Sequence, residues 1–281
     1  MKTMHLPQTP QGGYHQRGMP AKPKLGQNFL NDTQAVERIA NSLGDLTGRT
    51  VVEIGPGAGA ITGALAARAA HVLAVELDPA LAAHLRTQFD PARVTVLNQD
   101  VLHFDFAAAA AVAGHPLCVV GNLPYYITTD ILLKLFSAGD RIEHLVLMVQ
   151  KEVADRITAA PGSRDYGLLS ATAQMYGTVQ KLFELGPESF DPPPNVRSAV
   201  FRMKMQPRFD ELHVDEPGFI AFLKVMFAQK RKTVSNNLKL AYDKAVAKAA
   251  LARAEIAPTT RAEAISLEDM ARLYLELKSV S

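Results

Sequence analysis

One cysteine, no uninterrupted apolar run of membrane length and no internal repeat set the first limits on this 281-residue sequence. Cys118 lies in "PLCVV", which reads as a buried strand, so an intramolecular disulfide is excluded. A catalytic thiol would need an electropositive, partly exposed setting, and the thiol is assigned to packing. The Ala-rich stretch 106–113 is too short and too weakly apolar to supply the ~20 residues a membrane helix needs, so a soluble protein is expected. Residues 1–26 hold Gln, Gly, Pro and His where a signal peptide would have its apolar core, so a cytoplasmic protein is expected. No metal-binding motif is evident, and no metal is expected.

What is present is ordinary globular composition: 48% hydrophobic and 21% charged residues. The length suits one large domain with a smaller appendage. Residues 1–25, rich in Pro, Gly and Gln, lack a hydrophobic period and read as a mobile tail. A helix follows, with Val36, Ile39, Ala40 and Leu43 on one face, Asp32 or Thr33 as cap and Gly44 as stop. Strands then alternate with helices: "TVVEIG", "HVLAVEL", "RVTVLN", "LCVVGN" and "EHLVLMVQ", whose near-continuous apolar runs suit a parallel sheet covered on both faces. "TVQKLFEL" and "SAVFRMKM" read as an antiparallel pair closing that sheet. Beyond residue 206 the pattern turns to helices only, at 216–229, 234–242, 244–253 and 266–278. The expectation is therefore an α/β domain over 26–206 and a small all-α domain over 207–281.

Net charge is only +2, but it is unevenly spread. Residues 1–31 carry four basic residues and no acid, and 224–248 carries Lys224, Lys230, Arg231, Lys232, Lys239, Lys244 and Lys248 against Asp243 alone. Such a run is either a solvated helix face or a surface for nucleic-acid phosphates.

Chemistry gathers at the strand ends. "VVEIGPGAGAIT" leaves a strand through Gly55, Gly57 and Gly59 and opens a helix, a turn in which a ligand can approach backbone without meeting a Cβ. Glu76 ends the next strand 21 residues after Gly55, near the spacing of an acid that accepts from both hydroxyls of a ribose. Asp100 follows the third strand, where a carboxylate can accept from an adenine amine. Together these describe an adenosine site. Dinucleotides and S-adenosylmethionine both contain adenosine. The G-x-G-x-G spacing, with Ala60 where a dinucleotide fingerprint would have glycine, favours S-adenosylmethionine.

The fourth strand ends in "GNLPYYITT". Adenine N6 is a poor nucleophile because its lone pair is delocalised, and methylation builds positive charge on it. Two acceptors aimed at its hydrogens would orient the lone pair and stabilise that charge. Asn122 Oδ1 and the Leu123 carbonyl are candidates, with Pro124 restricting the carbonyl and Tyr125 offering a face for an extruded base. Taken alone the stretch could equally be a turn. Tyr126 acquires no role.

Seven blocks in order, "LGQNFL", "VVEIGPGAGAIT", "VELD", "NQDVL", "GNLPYYIT", "SFDPPPNVRSAVF" and "FAQKRKTVSNNL", resemble the ribosomal RNA adenine dimethyltransferase family, most closely its small-subunit 16S branch. The resemblance implies a Rossmann-like class I methyltransferase sheet with S-adenosylmethionine as cofactor. The implied reaction is N6,N6-dimethylation of two adjacent adenosines near the 3′ end of 16S rRNA, by a monomer acting on an immature small subunit. By motif position it implies Gln27, Asn28, Leu30, Gly55, Gly57, Glu76, Leu77, Asp100, Val101 and Asn122 at the cofactor. Asn122, Leu123, Pro124 and Tyr125 would handle the base, Phe190 would cap it from the other side, and Lys230, Arg231 and Lys232 would meet RNA. Asn195 and Arg197 depart from the family, which has Lys and Asp there. The alternatives are an assembly factor that acts by binding, and a 23S rRNA or DNA adenine N6-methyltransferase.

Overall fold

The computed structural model describes residues 28–279; Gln27 and the tail expected over 1–25 lie outside the described residues. The strands are β1 (Phe29–Leu30), β2 (Thr50–Ile54), β3 (His71–Glu76), β4 (Val94–Asn98), β5 (Leu117–Asn122), β6 (Ile142–Gln150), β7 (Gly177–Leu185), β8 (Phe190–Asp191) and β9 (Ser198–Met205). The helices are α1 (Thr33–Ser42), α2 (Ala60–Ala66), α3 (Pro79–Gln88), α4 (Phe106–Ala113), α5 (Thr128–Ser137), α6 (Lys151–Ile157), α7 (Leu168–Tyr176), α8 (Glu216–Met226), α9 (Val234–Leu238), α10 (Lys244–Arg253) and α11 (Leu267–Lys278).

Seven strands form one sheet in the order β4-β3-β2-β5-β6-β9-β7. The first five to appear in the chain run parallel, and β9 and β7 join antiparallel beyond β6. The chain winds outward from β2 through β3 to β4, then returns to lay β5 against the other side of β2. That reversal opens a crevice at the carboxyl ends of β2 and β5, where open α/β sheets bind ligands.

Apolar strands form here because both faces are covered. Val52, Ile54, Leu73, Val75 and Val119 point into one buried cluster, and Val51, Val72, Ala74, Cys118 and Val120 into the other. This is the two-residue alternation of a pleated strand. The second face is closed by α1, α2 and α3 through Ile39, Leu43, Leu65 and Leu85. The first is closed by α4 to α7, and its buried set continues without a break into Phe219, Phe222 and Leu273 of the C-terminal helices. Each such fully buried Val, Leu, Ile or Phe is worth ~1.5–3 kcal/mol relative to exposure. Burial pushes the Cys118 thiol up to about 11, consistent with packing.

Asp32 caps α1, its carboxylate accepting from Ala35 N at 3.0 Å, and Gly44 follows the helix in the left-handed region at φ 76°. Three features differ from the sequence expectations. The Ala-rich stretch is α4, started by the Asp105 cap on Ala108 N and ended at left-handed Gly114. The chain around "SFD" contributes β8, which pairs antiparallel with β1, Leu30 opposite Phe190. Helix α8 stops at Met226 and α9 at Leu238, short of the expected 229 and 242, and Lys230, Arg231 and Lys232 lie on the loop between them, where the expected bounds also left them.

Candidate active site

The crevice is an open, mostly apolar cleft walled by the residues that follow β2, β3, β4 and β5. Asn28, Leu30, Gly55, Gly57, Glu76, Leu77, Asp100, Val101 and Asn122 all line it, and so do Leu123, Pro124 and Tyr125. The residues from Gly55 to Tyr125 meet because they follow the ends of neighbouring parallel strands, and Asn28 and Leu30 are brought to them by the separate β1–β8 pair.

The glycine turn and Glu76 build one another. Gly55 N donates to Val75 O at 3.0 Å, tying the turn to β3. Gly57, at φ 59°, sits where an added Cβ would come within 3.1 Å of the Phe29 ring. Its amide donates to Glu76 Oε2 at 3.1 Å, and Asp78 N donates to Oε1 at 2.8 Å. A carboxylate so held is 5% exposed and keeps lone pairs directed into the cleft. Asp100 is fixed similarly, its Oδ1 accepting from Leu102 N at 2.9 Å. Two oriented carboxylates flanked by the apolar side chains of Ile54, Leu77 and Val101 suit the diol, amine and flat face of an adenosine.

At the end of β5, Gly121 is required by close approach: a Cβ there would lie 2.7 Å from Ile54 O. Asn122 Nδ2 donates to Asn28 O at 3.2 Å, so Oδ1 is the acceptor its side chain presents. Leu123 N donates to Met148 O at 3.0 Å, and its carbonyl takes no hydrogen bond among the described residues. Pro124 continues extended (φ −59°, ψ 129°). Tyr125 OH lies 2.9 Å from Ser198 Oγ at the start of β9, which anchors the ring.

Phe190 requires a correction. It does not line the cleft; its ring is 3% exposed in the cluster of Leu30, Leu185 and Val200. The β1–β8 pairing turns this side chain inward, where it supports the segment whose Asn28 carbonyl holds Asn122. Lys230, Arg231 and Lys232 also lie away from the cleft, exposed on the α8–α9 loop. Buried Asn237 holds that loop: its Nδ2 donates to Met226 O at 2.7 Å and its Oδ1 accepts from Gln229 N at 3.2 Å. Lys230 Nζ donates to Arg164 O at 3.0 Å. The atypical Arg197 is accommodated by Glu184, 3.6 Å from its Nε.

Sequence reasoning passed over Phe29, Glu53, Tyr126 and Ile131, all in the cleft wall. The signal for Glu53 was a lone acid inside an apolar strand. It is 1% exposed, accepts from Thr62 Oγ1 at 2.6 Å, and burial with the nearby Glu76 charge raises its pKa to about 7. At the opposite, amino end of the strands, Cys118, Glu143 and His144 bring ligand atoms within 4.8 Å of one another. Glu143 is ion-paired to Arg49 and His144 Nε2 meets Leu43 O, and no metal role is assigned.

Residues 18–279 match the family model described as ribosomal RNA adenine dimethylase. The chain is 51% identical over 269 residues to Ribosomal RNA small subunit methyltransferase A of Koribacter versatilis, covering 92% of this chain and 94% of that one. It is 53% identical over 262 residues to the protein of the same name from Acidobacterium capsulatum, covering 92% of each. Among solved structures, 23S rRNA methyltransferase ErmE superposes with a TM-score of 0.68 at 26% identity, over 89% of this chain and all of that one. A dimethyladenosine transferase from Plasmodium falciparum has the same fold, with a TM-score of 0.77 at 21% identity, over 89% and 97%.

Proposed function

The chain belongs to the ribosomal RNA adenine dimethylase family and is an rRNA adenine dimethyltransferase, and from that premise we propose how its cleft works and on what. The cofactor is S-adenosylmethionine, which supplies an electrophilic methyl. Glu76 would accept from its ribose hydroxyls and Asp100 from its adenine amine, and the Gly55–Gly57 turn would allow its close approach. The lining fits: two oriented carboxylates as acceptors, an apolar wall, and glycines at 55 and 57 of the turn.

The observation that carries the catalytic reading is the Asn122 amide, whose nitrogen is committed to Asn28 O. Asn122 Oδ1 and the Leu123 carbonyl then accept the two hydrogens of a target adenine amine, turning its lone pair toward the methyl and stabilising the charge that builds on nitrogen. No strong base is needed, because the methylated ammonium is far more acidic than the neutral amine and loses its proton to solvent. Tyr125, tethered by Ser198, is the shelf on which the extruded base stacks.

The substrate is 16S rRNA in an immature small subunit, where the enzyme, a cytoplasmic monomer, dimethylates two adjacent adenosines near the 3′ end. The names of the relatives support the small-subunit assignment. Residues 207–281 form the RNA-contacting domain, with Lys230, Arg231 and Lys232 meeting phosphates through shape and charge. Incubation with labelled S-adenosylmethionine and unmethylated small subunits should give N6,N6-dimethyladenosine at two neighbouring positions. Label appearing only in 23S rRNA or DNA, or not at all, would refute the assignment.

A further inference from the structure

"GNLPYYITT" holds two adjacent tyrosines, and the structure separates their surroundings. They occupy a 3-10 turn over Tyr125–Ile127, in which successive side chains diverge by ~120°. Tyr125 is tied to Ser198 of β9, on one side of β5, while Asp100, which lines the cleft together with Tyr126, follows β4 at the far edge on the other side. Tyr126 also lines the cleft, yet 58% of its surface is exposed. An aromatic ring left open at the mouth of an apolar cleft has its face free for a flat partner. On this wall the carboxylate of Asp100 is what would recognise that partner.

We infer that Tyr126 is a cofactor-binding residue whose ring covers the adenine end of S-adenosylmethionine held at Asp100, so that the two tyrosines divide the cleft between cofactor and target base. The inference rests on the cofactor assignment made above. Packing of the ring, and not its hydroxyl, does the work, because the phenol makes no hydrogen bond among the described residues. The target base, on the Tyr125 side, does not meet Tyr126.

The test is titration calorimetry of the full chain with S-adenosylhomocysteine, alongside small-subunit binding. Tyr126→Ala should weaken the nucleoside about tenfold, the size of one aromatic stacking contact. Tyr126→Phe should match the unsubstituted protein, and neither change should alter particle affinity. Because the chain has no tryptophan, its emission comes from seven tyrosines, and part of the quenching on nucleoside binding should disappear in Tyr126→Ala. Asp100→Asn serves as the control for the site. If Asp100→Asn weakens the nucleoside and Tyr126→Ala does not, the inference fails and the cofactor reading stands. If Tyr126→Ala weakens the particle alone, the ring belongs to RNA and the inference is overturned. If the unsubstituted protein binds no nucleoside, the cofactor reading falls and the inference with it.

Discussion

Glu53→Gln should stabilise this protein, and by an amount that depends on pH. Glu53 lies in the most central parallel strand, 1% exposed, with Thr62 as its hydrogen-bond donor and the Glu76 carboxylate nearby. Burial first, and Glu76 second, raise its pKa from 4.5 to about 7. A carboxyl whose folded pKa is raised binds its proton more tightly in the folded state. Its contribution is therefore most favourable below 4.5 and is lost as pH rises through about 7. At about 1.36 kcal/mol per pKa unit the full loss is about 3 kcal/mol. Glutamine keeps an acceptor for Thr62 and cannot ionise. The variant should thus be more stable by under about 1 kcal/mol near pH 5 and by about 3 kcal/mol near pH 8.5. For a chain of this size the larger figure is roughly 6 °C in Tm. Thermal unfolding of both proteins across that pH range reads it directly. A difference in Tm that does not change with pH would show that the Glu53 charge is not what the fold resists.

The other predictions follow from the geometry of the cleft and the basic loop. Asn122→Ala should lower the methylation rate on small subunits by about 10²–10³, the usual cost of one group that stabilises developing charge, while calorimetry shows S-adenosylhomocysteine affinity largely kept. Equal loss of both would contradict the role given to Oδ1. Gly121→Ala must push β5 from β2, since Ile54 O lies 2.7 Å from the new Cβ; denaturant unfolding should show a loss of about 1–3 kcal/mol, and an unchanged midpoint would refute the close approach. Asn237→Ala leaves Met226 O and Gln229 N without their buried partner, so unfolding should register a loss of about 1–3 kcal/mol. Particle affinity should fall with it, and the salt dependence should flatten when Lys230, Arg231 and Lys232 are neutralised, by about one unit for each phosphate no longer met by a cation. A salt slope unchanged by neutralisation would assign those charges to solvent.

Much of this was determined by the sequence alone. The alternation of apolar strands with helices, the glycine turn, and Glu76, Asp100 and Asn122 at successive strand ends are local patterns, because a strand's two-residue period and a turn's need for glycine are written in consecutive residues. Since parallel strands end on one rim, knowing that the strands were parallel already placed those side chains together. Tertiary structure decided what depends on partners far along the chain. The Asn28 carbonyl fixes an amide 94 positions away. Two-residue strands β1 and β8 have no period to read, and their pairing alone carried Phe190 into the core and out of the cleft. Glu53 acquires its raised pKa only because helices close both faces of its sheet, and the backbone at the end of α8 is satisfied by Asn237, buried beneath the basic loop. Burial and desolvation belong to the assembled neighbourhood of a residue, and two tyrosines adjacent in sequence face different neighbourhoods for that reason.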